Sequence, residues 1–233
     1  MFEEKHGAVL GPPPVRETIS AAVYRQLREA ILTALIPMGT RINEVELASD
    51  WRISRTPIRD ALRRLEAEGL VQGAPGRGMI VPVLTRVDVD ELYALREGLE
   101  GMAARLAAER ATPQFLVHLN TLLKMYGAAL KKDDTAQLVL IDGALHDAVA
   151  QMAQNRRLEQ TVHVARLRVH QIHARSFRLK GRAGRTFREM ATLVAAIRTR
   201  NASRAETSMR AHLTSLRGDV AAAFDELLAS KSS

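Results

Sequence analysis

The sequence predicts a mainly α-helical protein in which an N-terminal winged helix-turn-helix precedes an all-helical bundle, and three observations predict it. Two amphipathic segments between Asn43 and Leu70 are separated by only a few residues. A glycine-rich turn flanked by short β-prone runs follows them directly. From Thr85 onward only helical periodicity recurs.

Residues 1–15 read as a flexible arm, because Pro12, Pro13 and Pro14 resist regular hydrogen bonding. The first helix begins near Thr18, carries Val23, Leu27, Ala30, Ile31 and Ala34 at three- and four-residue spacing, and is ended by Pro37 and Gly39. Asn43 and Glu46 have capping-box spacing for a second helix to Trp51, with Val45, Leu47, Ala48 and Trp51 facing inward.

The stretch SRTPIRDALRRLEAEGL, Ser54 to Leu70, predicts the third helix, with Ser54 as its cap, Pro57 in its first turn and Ile58, Ala61, Leu62 and Leu65 on its buried face. Its other face carries Arg55, Thr56, Arg59 and Arg63. Guanidinium forks can bond two guanine acceptors in a major groove, so this helix suits DNA reading as well as an arginine-rich surface. Gly69 suits the helix C-terminus. Leu70–Val71 and Met79–Val83 then predict the strands of a wing, with Gly76 and Arg77 at the turn between them. Arg77 there suits entry into a minor groove or pairing with a phosphate, and equally a charged turn tip with no role of its own.

Six helices are predicted over residues 87–110, 113–131, 135–153, 157–178, 185–199 and 204–229, with a short tail at 230–233. Thr112 caps one with Pro113 at its first position, and Ser203 with Glu206 has capping-box spacing for the last. Domain boundaries fall at 16–84 for the winged unit and 85–229 for the bundle. On the third bundle helix Asp142 and His146, four residues apart, lie about 40 degrees apart around the axis and can converge on one metal ion; pairs at that spacing are more often a surface pair or a side-chain hydrogen bond. His212 on the last helix adds a third ligand if that helix packs nearby.

Composition narrows the chemistry. The 233 residues, 46% hydrophobic, suffice for two cores. No apolar run reaches the roughly 18 residues of a membrane span, and the N-terminus lacks a secretory signal's basic start, so a cytoplasmic protein is expected. The absence of cysteine removes disulfides, thiolate catalysis and cysteine-based zinc fingers. The net charge of +8 is uneven: residues 1–84 hold 11 Lys and Arg against 10 Asp and Glu. Binding of phosphate by that region must come from local arrangement. Between Arg156 and Arg188 ten basic residues meet one acid, Glu159.

Residues 16–83 resemble the winged helix-turn-helix of the GntR family of bacterial transcription regulators, through GTRINEVELAS, ISRTPIRDALRRLEAEGL and the GRGMIV wing. The resemblance implies that Ser54, Arg55, Thr56, Arg59, Gly76 and Arg77 approach a double-stranded DNA operator. Trp51-Arg52 stands where many relatives have Leu-Gly, and Val45 where some have a basic DNA contact. LYALREGLEGMAARLAAERAT, DGALHDAVAQMAQNRRL and FREMATLVAAIRTRN with MRAHL resemble the FadR-type sensing domain called FCD.

In many such domains an Asp and three His hold a divalent metal, and a small carboxylate effector binds beside an arginine. Asp142, His146 and His212 match ligands and Arg96 matches that arginine. At the fourth position Glu189-Met190 replaces Glu-His. Three arrangements are compatible with this: a three-ligand site for Zn, Ni or Mn; substitution by His163, His170 or His173; or a metal-free site in which Arg96, His146, His212 and the basic fourth bundle helix hold an anionic effector. Arg96 also reads as a surface arginine paired with Glu100.

The expected function is a homodimeric transcription regulator, a repressor, whose two recognition helices enter successive major grooves and whose operator affinity an effector sets. An enzyme would need Asp142, His146 and His212 to activate a metal-bound water, and no acid-base partner is evident beside them. No enzymatic activity is expected.

Overall fold

Thr18 starts the chain's first helix by accepting a hydrogen bond from the Ala21 N–H, and apolar spacing carries α1 over Ile19–Leu32. The computed structural model describes residues 17–74 and 78–229. The predicted arm, the wing-tip residues Gly76 and Arg77, and the tail at 230–233 therefore lie outside the described residues. Nine α-helices and one three-stranded sheet occur among them.

After α1 come β1 (Arg41–Ile42), α2 (Glu44–Trp51), α3 (Arg55–Ala67), β2 (Gln72–Ala74) and β3 (Gly78–Ile80). The sheet order is β1-β3-β2, antiparallel throughout, with Ile42 opposite Met79 and Gly73 also opposite Met79. Val23, Leu27 and Ile31 of α1 close against Ile58, Ala61, Leu62 and Leu65 of α3 to form the first core.

Four expectations need correction in this unit. Val45 is 56% exposed. Glu44, Leu47, Ala48 and Trp51 share the inward arc of α2, and Val45 falls just outside it. Ser54 takes the cap position of α3 but its hydroxyl makes no capping bond. The reason lies in Pro57: it occupies the third helical position and has no N–H to offer a cap. Leu70 and Val71 are buried connector residues, so the wing strand starts at Gln72. The two-residue β1 was not expected; it exists because Met79 and Ile80 supply its partners.

The bundle comprises α4 (Arg86–Arg110), α5 (Pro113–Lys131), α6 (Thr135–Met152), α7 (Arg156–Ser176), α8 (Arg182–Arg198) and α9 (Ala202–Ala229). Thr85 and Asp88 form a reciprocal capping box at α4, Thr112 accepts from Phe115 N–H ahead of α5, and the Asn155 side chain accepts from Leu158 N–H at α7. The last helix is capped by Asn201, whose Oδ1 accepts from Arg204 N–H at 3.0 Å, and not by Ser203; Glu206 bonds Arg105 and Arg210 instead. Arg200, in the left-handed region at φ 54, turns the chain early enough for Asn201 to serve. Helix α4 packs on α6, α7, α8 and α9, so residues along it face the others across one core.

Helix α7 also supports the winged unit. Leu167 belongs to the first core, and Gln171 Nε2 donates to the carbonyls of Ile31 at 2.5 Å and Ile36 at 3.2 Å. Gly69, at φ +72, lies against the Arg168 guanidinium. No helix among the described residues is long and apolar enough to cross a membrane.

Candidate functional site

Two surfaces matter. On the first, Ser54, Arg55, Thr56 and Arg59 are all exposed along the start of α3. Arg55 and Arg59 are not free cations: both guanidiniums pair with Glu44 of α2, at 3.4 Å and 3.1 Å. Such exposed pairs contribute little to stability, so they yield readily to a better acceptor. The Ser54 hydroxyl, released from capping by Pro57, stands at the positive end of the helix with Thr56 beside it. Gly76 and Arg77 lie beyond what the structure describes.

The second lies inside the bundle. Asp142 and His146 come from α6 and His212 from α9, all buried, and each offers an atom within 4.8 Å of the others. The rings of His146 and His212 are 5.2 Å apart. From α7, His173 Nε2 reaches Asp142 Oδ2 at 3.4 Å. His163 does not join them; it faces Arg28 of α1 at 3.5 Å. Met190 is buried in the apolar core.

Both outer nitrogens are held. His146 Nδ1 bonds Glu100 Oε2, and His212 Nδ1 bonds Glu189 Oε2 at 2.7 Å. Glu100 in turn accepts from Arg96 Nε at 2.6 Å, while Glu189 accepts from Arg182 Nη2 at 2.9 Å. Burial pushes the Glu100 carboxyl up, but Arg96 and His146 outweigh it and leave the group below the usual carboxylate range. For Glu189 burial is outweighed by the His212 bond and the Arg182 charge, which bring it to about 2.

An ionised carboxylate can only accept, so the bonding Nδ1 atoms carry protons and the Nε2 atoms are left on the inward side. Burial also lowers His173 and His212, keeping them neutral at pH 7. Burial pushes the Asp142 carboxyl up, but the attraction of His146, His173 and His212 in their protonated forms, with the Arg166 charge, outweighs it and leaves the group below its ordinary value.

The inward atoms lack partners. Asp142 Oδ1 and Oδ2 and the Nε2 atoms of His146, His173 and His212 are buried without a hydrogen bond. So are Arg96 Nη1 and Nη2 and the Tyr93 hydroxyl, the guanidinium carbon lying 4.8 Å from the centre of the Tyr93 ring. Burial pushes the Tyr93 phenol up to about 12, so it remains a donor. Leaving this many groups unsatisfied would be costly, and a donor set of one carboxylate and imidazole nitrogens fits a borderline divalent cation. Carboxylates on the far nitrogens are the usual support for metal-binding histidines. Arg96 is thus no surface arginine: it and Glu100 form a buried pair beside the cluster.

A winged helix-turn-helix joined to a helical domain with a buried polar centre defines a DNA-binding transcription regulator with a second, separate domain. Residues 19–81 match the model for bacterial regulatory proteins of the gntR family and residues 91–215 the model for the FCD domain. The chain belongs to the GntR family of bacterial transcription regulators, in its FCD-containing branch.

It is 29% identical over 191 residues to the HTH-type transcriptional regulator YdhC of Bacillus subtilis, covering 81% of this chain and 85% of that protein. It is 25% identical over 197 residues to the HTH-type transcriptional repressor RspR of Escherichia coli, covering 84% and 86%. Among solved structures, E. coli McbR/YncC shares the fold with a TM-score of 0.76 at 22% identity, over 90% of this chain and 99% of that one. The family and these relatives are regulators, not enzymes.

Sequence reasoning missed Tyr93 and Arg182, named Glu189 only as the neighbour of Met190, and read Glu100 only as a helical neighbour of Arg96. The acid four residues after Arg96 was visible, but nothing in sequence separates a buried pair from a surface one.

Proposed function

We propose that the protein is a cytoplasmic, homodimeric transcription repressor whose grip on a roughly palindromic operator is set by a small carboxylate effector, held in the bundle beside a divalent cation. The observation that carries this is the convergence of buried, unpartnered atoms from Asp142, His146 and His212, with the far nitrogens of both histidines fixed by carboxylates. Asp142, His146 and His212 would hold the cation; a bound Zn, Ni or Mn would supply positive charge for an effector carboxylate. Arg96, its Nε tied to Glu100, aims two free amino groups at a second acceptor on the effector.

Ser54, Arg55, Thr56 and Arg59 form the DNA-reading edge, with Gly76 and Arg77 of the wing proposed beside them. Met102 of α4, 42% exposed, supports pairing of two copies through the outer side of that helix. The relative RspR is a transcriptional repressor, which supports repression as the direction of control.

Metal analysis of protein purified without chelator tests the reading. About one ion per chain is expected, lost in Asp142→Ala and His212→Ala, with carboxylates then raising the melting temperature and changing operator affinity. No metal after supplementation with Zn, Ni and Mn would reject the cation, and carboxylate stabilisation lost in an Arg96→Gln variant would then assign the effector to the arginine alone.

A further inference from the structure

We propose that the cation site is closed by His173, so that its fourth ligand comes from α7, the helix on which the winged unit rests. This builds on the cation reading above. Position 190 offers a thioether buried in the apolar core, a poor ligand for a hard or borderline divalent ion. His173 is 7% exposed, its Nε2 lies 3.4 Å from Asp142 Oδ2 without a hydrogen-bond partner, and it stands outside the set in which Asp142, His146 and His212 each offer an atom within 4.8 Å of the others, so its ring must shift to join them on a cation. It is the third buried imidazole whose Nε2 is left unpaired beside the same carboxylate. His163 on the same helix is turned toward Arg28, and so has no share in the cluster.

The origin of that ligand changes what the site controls. On one face α7 presents Val169, Ile172, His173 and Ser176, all buried in the bundle. On the other it presents Leu167, Arg168 and Gln171 to the winged unit: a side chain in the first core, a guanidinium against Gly69, and an amide bonded to the carbonyls of Ile31 and Ile36. Gln171 and Arg168 therefore sit two and five positions before the ligand on one rigid helix.

A ligand at position 190 would tie the cation to α8, whose packing partners are α4, α5 and α9. A ligand at position 173 ties it to the element that holds the end of α1 and the end of the recognition helix α3. Binding at His173 thus biases the setting of the DNA-reading unit through one helix.

The test uses the full-length protein loaded with Co(II) or Zn(II), with a His163→Ala control. X-ray absorption on the loaded wild type should count three imidazole nitrogens; two would overturn the proposal, and this needs no variant. His173→Ala should weaken metal binding at least roughly tenfold and alter the Co(II) visible spectrum, while His163→Ala changes neither. Met190→His in the His173→Ala background should return metal affinity yet leave operator affinity insensitive to metal. If the wild type binds no metal, the cation reading itself fails. If metal binds and is lost in Asp142→Ala but held equally well, with an unchanged spectrum, in His173→Ala, only the role of His173 fails.

Discussion

His212 on α9 donates from Nδ1 to Glu189 on α8 at 2.7 Å, which leaves its Nε2 aimed at Asp142 and His146. Glu189 also accepts from the buried Arg182, so one carboxylate fixes the tautomer of a proposed ligand and neutralises a guanidinium. Glu189→Gln is expected to weaken metal binding by roughly 10- to 100-fold while retaining the fold. Competition against a chromophoric chelator measures it, and unchanged affinity would show that the bond does not serve the site.

The pairing of Arg55 and Arg59 with Glu44 predicts opposite effects from neighbouring substitutions. Arg59→Ala should cost about 1–3 kcal/mol of operator binding. Glu44→Gln should tighten binding several-fold, most at low salt, because the two guanidiniums no longer exchange a carboxylate for DNA. Titrations over a range of salt concentrations distinguish the two; weaker binding by Glu44→Gln would contradict this account.

Gly69 combines a positive φ of 72 with contact to Arg168, and a Cβ there would overlap that guanidinium. Gly69→Ala should therefore destabilise the protein by about 1–3 kcal/mol, part of it recovered in combination with Arg168→Ala. Chemical denaturation of the four members of the cycle reads the coupling, and additive losses would place the whole effect in the backbone.

Arg52 ends α2 at φ 52, in the left-handed region that favours glycine. Arg52→Gly should raise stability by about 0.5–1 kcal/mol, the relief of steric strain exceeding the added flexibility of the unfolded chain. A melting temperature that falls would mean the arginine side chain contributes more than its backbone costs.

Burial lowers the His170 imidazole to about 4, with Arg166 and Arg28 acting in the same direction. Between the ordinary histidine value and 4 the unfolded chain takes up a proton that the folded one refuses. The folded state is therefore at full advantage above about pH 6.5 and loses it as the pH falls toward 4, by about 3 kcal/mol. His170→Gln should flatten that part of the stability profile, and an unaltered slope between pH 6.5 and 4 would exclude His170 as its source.

What could be read in advance depended on reach along the chain. Thr112 with Pro113 and Gly69 act on residues within a few positions, and their signals are complete in sequence. Asp142 and His146 share a helix, so their common face follows from periodicity. The approach of His212 and His173 to them depends on how α9 and α7 pack, which no spacing encodes. Ser203 and Asn201 are both competent caps, and only the turn at Arg200 decides between them. Likewise, β1 is too short to announce itself and forms because β3 arrives beside it.

The Glu44 pairs also bear on how such a protein would search a chromosome. On random sequence, Arg55 and Arg59 would leave a ready carboxylate for phosphates alone, and little is gained by the exchange. At an operator the same side chains would find base edges as well. Dwell times at irrelevant sites would thereby be shortened without a matching loss at the correct one, so an acidic residue beside such a reading helix would shorten the time to reach the target.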